Sequence, residues 1–155
     1  MRAIHLQVSR AEVDEGVALT TAYHGVKNAD AQSVYDRVAL VEADGQWLAE
    51  TFSDCAAQAD GMLREYLHGG HQDDGRQPLA CYQACLLMPD NWDDRQHESL
   101  QRQLRAFFVA TVTARWMALV MPEQENRYAA MANLAAEGCL KALHARRRPL
   151  PPRTF

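Results

Sequence analysis

Residues 97–121 read HESLQRQLRAFFVATVTARWMALVM, and this stretch decides the fold class. On a helical wheel of about 100° per residue, Leu104, Phe107, Phe108, Thr111, Ala114 and Ala118 fall within about 80° of Leu100 and make one core-facing stripe. Arg102 and Arg105 fall outside it. From Ala106 onward Val109, Val112, Trp116 and Val120 fill the side that a surface helix keeps polar, and Arg115 is the only charge. A helix this apolar all round needs other helices over most of its surface, or a neighbouring subunit over part of it. The expected fold is mainly α, a bundle of four to five helices.

Arg115 carries the sharpest question in the stretch, because a guanidinium cannot be left unpaired inside a core. Either it reaches an acid on a neighbouring helix or the protein edge, or it contacts another subunit at an interface shared with Trp116. An interface role predicts that Arg115→Leu alters oligomer size with little loss of monomer stability.

Outward toward the N-terminus, AIHLQV at residues 3–8 alternates apolar and polar residues as a half-buried strand does. Ser9 and Glu12 have the spacing of a capping box, flanked by Val8 and Val13 as a hydrophobic staple, and start a helix over about 10–22 that closes near His24-Gly25. After a turn-like segment at 26–32, Val34, Val38 and Val41 predict a short helix over about 31–42. Asp44 is a candidate cap for the next helix, about 45–68, which carries Leu48, Phe52, Cys55, Ala59 and Leu63 at three- and four-residue steps.

The segment HGGHQDDGRQP, residues 68–78, is a loop by composition. Its His68, His71, Asp73 and Asp74 are the one local cluster with metal-ligand chemistry, but Gly69-Gly70 gives no rigid support, so a solvated loop is expected and no metal or other cofactor. LACYQACLLM, residues 79–88, lies between prolines at strand length and can pair with the first strand. Asn91 or a neighbouring aspartate caps the long helix, and Pro122 ends it and opens the last one, about 122–147. PLPPRTF then forms an extended tail, so the chain divides into one helical domain, 1–148, and a proline-rich basic tail, 149–155.

Charge is divided as sharply as hydropathy. Residues 141–155 hold Lys141, Arg146, Arg147, Arg148 and Arg153 with no acid, so a chain of net charge −4 has −9 on its first 140 residues. The arginine-rich tail is expected to meet phosphates or another acidic surface, whether nucleic acid, a second subunit or its own body. No helix carries a basic stripe, so DNA contact is expected through the tail only. The longest nearly apolar run is too short for a bilayer span, and the N-terminus lacks a secretory signal pattern, which predicts a protein made and kept in the cytoplasm. Cys55, Cys81, Cys85 and Cys139 are then expected to be reduced, buried thiols. No Ser-His-Asp grouping, phosphate loop, HExxH or CxxC is present, and the expectation is a protein without enzymatic activity.

TTAYHG at 20–25, VYDRV at 34–38, EADGQWLAETFSDCA at 42–56, RAFFVATVTARWMALVMPEQENRYAAMA at 105–132 and LHARRRP at 143–149 give the chain a family likeness. It resembles a family of small, uncharacterised prophage-encoded proteins of gut bacteria that serve as virion structural components near the head-tail junction. The resemblance covers nearly the whole chain and rests on packing and surface patterns. It implies a repeated assembly subunit, cytoplasmic in the host and then part of the virion, that associates with itself or with other virion proteins. The alternative is a small cytoplasmic adaptor or regulator that binds one partner protein through an apolar helix face. A weaker third possibility is an enzyme built on His68, His71, Asp73 and Asp74.

Overall fold

In the computed structural model, which describes residues 1–27, 44–69 and 80–152, the chain is mainly α with a minor two-stranded antiparallel sheet. Strand β1 (Arg2–Ser9) leads directly into helix α1 (Arg10–Lys27). Helix α2 (Gly45–Leu63) precedes strand β2 (Cys81–Met88), and a single 3-10 turn (Asp94–Gln96) opens helix α3 (His97–Val120). Helix α4 (Pro122–His144) returns antiparallel along α3. The short helix expected over 31–42 lies outside the described residues.

The strands pair with each other in the register Arg2↔Met88 to Ser9↔Cys81. Alternation puts Ile4, Leu6, Val8, Tyr82, Ala84, Leu86 and Met88 on the inner face, all buried. Leu100, Leu104 and Phe108 of α3 join them in one core with Phe52 and Leu63 of α2. Phe108 is its aromatic centre, with ring centroids 5.1 Å from Phe52 and 5.3 Å from Tyr82.

The extra apolar side of α3 is covered mostly by its own chain. Trp116 packs edge-on against Trp47 of α2 at 5.2 Å. On the other side Val109 lies over Gly16 of α1, where an added Cβ would come within 3.3 Å of its methyl group. Toward the end of α3, Ala114 and Met117 form a small second cluster with Met121 and Tyr128.

Several element ends differ from expectation, each because a tertiary contact outweighs a local signal. Helix α1 runs through Gly25 to Lys27, and His24, which is buried, hydrogen-bonds the Tyr128 hydroxyl of α4. Glu12 turns to Arg105 of α3, at 3.1 Å, instead of back to Ser9. Asp44 precedes α2 without a capping hydrogen bond from its side chain. Asp93 caps the 3-10 turn through the Arg95 amide, and the long helix itself starts from Gln96 without a side-chain cap. Helix α2 stops at Leu63 because residues 66–68 are taken up by β2: Leu87 N–H donates to Tyr66 C=O and His68 N–H to Cys85 C=O. Helix α4 stops at His144, three residues early, because Ala145 turns extended and its C=O accepts from the Asp93 amide. No helix among the described residues is long and apolar enough to cross a membrane.

Candidate functional site

The stripe that begins at Leu100 and Leu104 stays buried at Phe107 and Ala114, whereas Thr111 and Ala118 are half-buried. Helices α2 and α4 flank α3, and an open groove of about 320 Å³ is lined by all four of these residues. Ala129 and Ala132 form its α4 wall, and Gln58, Arg115, Glu125 and Asn133 supply polar groups. The small side chains let the groove run close to the helix backbones. The Thr111 hydroxyl beneath it is buried and has no hydrogen-bond partner, whereas Thr113 on the same helix bonds back to the Val109 carbonyl at 2.7 Å.

Arg115 lies at this groove with its guanidinium 2.9 Å from the Asp54 carboxylate of α2. Its side chain is 37% exposed and that of Asp54 67%, so the pair is a solvated surface contact between helices. Trp116, one residue on, points away into the stack with Trp47. Sequence proximity had joined Arg115 and Trp116 as one interface feature; the helix separates them by about 100°, one facing water and the other the core.

The tail arginines lie at the opposite end of α4. The Arg146 guanidinium donates to the Leu143 and Ala145 carbonyls and to the Tyr66 hydroxyl, and its backbone bridges to Trp92. Arg147 donates its amide to Asn91 C=O at 2.9 Å, and its guanidinium lies 2.9 Å from the Asp94 carboxylate. Arg148 is exposed and in no ion pair among the described residues; Arg153 lies outside them. Residues 145–147 thus lie on the chain's own body, along the turn that precedes α3. Beneath them the buried Trp92 indole donates to Ala142 C=O at 2.9 Å, satisfying a carbonyl of the last turn of α4.

Two residues that the linear sequence does not connect complete this end. Arg2, at the start of β1, is 2.7 Å from the same Asp94 oxygen that holds Arg147, and Arg95 pairs with Asp93 at 3.0 Å. The Arg2 hydrogen bond, with smaller help from a backbone amide and from Arg147, holds the Asp94 carboxyl below the usual carboxylate range, and the Arg95 hydrogen bond does the same for Asp93. A pocket of about 290 Å³ adjoins them, lined by Arg2, His5, Trp92, Asp94 and His97. The only sequence signal for Arg2 and Asp94 was their charge, since they are 92 residues apart.

Of the histidine-aspartate loop cluster, His68 is described and His71, Asp73 and Asp74 lie outside the described residues. His68 shares a groove on the outer face of the sheet with His5 and Cys85, but no three His, Cys, Asp or Glu side chains among the described residues are gathered to hold a metal ion. Cys55 and Cys139 are buried, and burial pushes their thiols up to about 11 and about 12; Cys81 and Cys85, on the outer face of β2, are half-buried. The expectation that all four thiols are buried is corrected for these two: their side chains alternate away from the core.

Comparison with protein-family models, with curated proteins and with solved structures gave no match.

Proposed function

We propose that this chain is a non-enzymatic assembly subunit of a phage particle, a head-tail connector or neck component that docks other copies or other virion proteins. The observation supporting a docking role is the open groove lined by Phe107, Thr111, Ala114 and Ala118, in which Thr111 and Ala118 are only half-buried by their own chain. Leu119 near the end of α3 and Leu134 on α4 add exposed apolar surface, at 66% and 67%. A soluble subunit with an open, small-residue groove gains by covering it, since apolar area removed from water contributes about 25 cal/mol per Å². The phage setting comes from the family resemblance alone.

Light scattering over a concentration series tests the reading. The wild-type chain is expected to reach a defined multimer, and Ala118→Glu, which places a charge on the groove floor, is expected to remain monomeric with an unchanged unfolding midpoint. A wild-type monomer at every concentration would remove the assembly reading and point to the adaptor, in which the same groove receives one foreign helix.

A further inference from the structure

We infer that the end of the molecule formed by Arg2, the Asp90–Arg95 turn and Arg146–Arg148 is a phosphate-contacting surface for a nucleic-acid backbone, with Asp94 as a built-in counter-ion. The inference does not depend on the apolar groove, which lies elsewhere on α3 and α4.

The arginines that the sequence scatters over the chain are brought together here and are under-neutralised. One carboxylate, Asp94, serves two guanidiniums, Arg2 at 2.7 Å and Arg147 at 2.9 Å, leaving one positive charge over. Among the described residues Arg146 is held by neutral acceptors, the Tyr66 hydroxyl and two carbonyls, and no acid there pairs with it. Arg148 adds another, while Arg95 is cancelled by Asp93. The acids of this end are Asp90, which pairs with the Met1 ammonium, Asp93, Asp94 and, beside Tyr66, Glu65, whose charge a neutral His144 does not cancel. The end remains cationic on a chain whose net charge is −4.

Geometry adds to charge. The side chains of Arg2, Arg95 and Arg147 are 60%, 83% and 51% exposed, so a phosphate can reach them without unfolding anything. Backbone pairing of residues 145–147 with the turn before α3 fixes where Arg147 stands, so little ordering entropy is lost when it takes a phosphate oxygen. Asp94 occupies the position that a bridging phosphate would take between Arg2 and Arg147. A phosphate binding there must displace or repel that carboxylate, so Asp94 weakens the contact and, by occupying guanidiniums that would otherwise neutralise a phosphate, makes its salt dependence shallower. The expected surface is therefore wider than the tail: it includes Arg2.

Fluorescence anisotropy with a labelled 20-base-pair DNA duplex, at 25 mM and 200 mM salt, tests this on the full chain. Wild type is expected to bind at 25 mM and to lose most of its affinity at 200 mM. Asp94→Asn should bind about 5- to 10-fold tighter at 25 mM, with a log-log salt slope steeper by about one phosphate contact. Arg2→Ala and Arg147→Ala should each weaken binding about 5-fold or more, while Arg102→Ala, on the exposed side of α3, should leave it unchanged. Circular dichroism on each variant shows whether it is folded. The inference is overturned if neither wild type nor Asp94→Asn binds at 25 mM, if Asp94→Asn binds no tighter than wild type, or if Arg102→Ala weakens binding as much as Arg147→Ala.

Discussion

At the scale of single residues, burial sorts four cysteines into two chemical kinds. The thiolate is the reactive form, and a thiol near 8.5 is about one-fourth ionised at pH 8. Cys55 at about 11 and Cys139 at about 12 are held neutral, chiefly by burial, at about one part in a thousand or less. Arg115 lies near enough to Cys55 to pull the other way, but it is the smaller influence because its charge is shared with Asp54 and screened by water. Cys81 and Cys85 are half-buried on the outer sheet face. Treating native protein with iodoacetamide at pH 8 is therefore expected to add two carbamidomethyl groups quickly, at Cys81 and Cys85, and the other two only in denaturant. Peptide mass spectrometry checks both the number and the positions; early modification of Cys139 would mean that α4 opens readily.

The sheet shows best how elements depend on one another. A two-stranded ribbon has two open edges and little stability of its own. Here both edges are covered by the same chain. Residues 66–68 pair with β2, and on the β1 side Gln101 of α3 uses its amide as a short strand would, accepting from Gln7 N–H at 2.9 Å and donating to Gln7 C=O. His97, one turn earlier, bonds His5 C=O at 2.9 Å. Gln101→Ala should lower stability by about 1–2 kcal/mol, two hydrogen bonds at a partly exposed site, measured by urea unfolding. It should also speed hydrogen exchange at the Gln7 amide and increase light scattering on storage, because an uncovered edge invites pairing between molecules. Unchanged exchange at Gln7 would show that water replaces the glutamine without loss.

The same elements show what was legible beforehand. Strand β1, the long helix and the return helix were readable because periods of 2 and 3.6 are local signals that Ile4, Leu6 and Val8, or Leu100, Leu104 and Phe108, carry by themselves. Helix ends were misplaced where a distant partner decided them: β2 for Tyr66–His68, and Asp93 for Ala145. Arg115 could be read as needing an acid, but not that the acid was Asp54, and nothing in the composition of 97–121 distinguishes the half of its stripe that meets the sheet from the half that floors a groove. Those are questions of which surfaces the topology brings together. Arg2 and Asp94 belong to the same class: each is an ordinary charged residue until the antiparallel pairing of β1 with β2 carries Arg2 to the turn before α3.

For the molecule as a whole, the question is whether the two apolar clusters unfold as one. The large cluster joins the sheet, α1, α2, α3 as far as Val112 and α4 from Ala132 to Leu143, while Ala114, Met117, Met121 and Tyr128 form a separate small one. Three features tie them together. Helix α4 contributes Tyr128 to the small cluster and Ala132, Ala135, Cys139, Ala142 and Leu143 to the large one. Helix α3 passes through both, and a helix fraying from one end exposes its next turn, so the loss is cooperative along its length. His24 of α1 also bonds Tyr128 of α4 in the small cluster, while the same α1 packs Val13 and Val17 into the large one. The three tryptophans report on different places: Trp47 and Trp116 on the α2–α3 contact, Trp92 on the end where the tail is held. If the two clusters are coupled, urea unfolding followed by tryptophan fluorescence and by far-ultraviolet circular dichroism should give superimposable transitions with one midpoint. Trp92→Phe, which removes the hydrogen bond to Ala142 C=O and some core volume, should lower that midpoint, with a loss of about 1–3 kcal/mol, and keep the two curves together. Curves that separate, with fluorescence from Trp47 and Trp116 changing before the helix signal in the Trp92→Phe protein, would mean that the α2–α3 contact melts as a unit of its own.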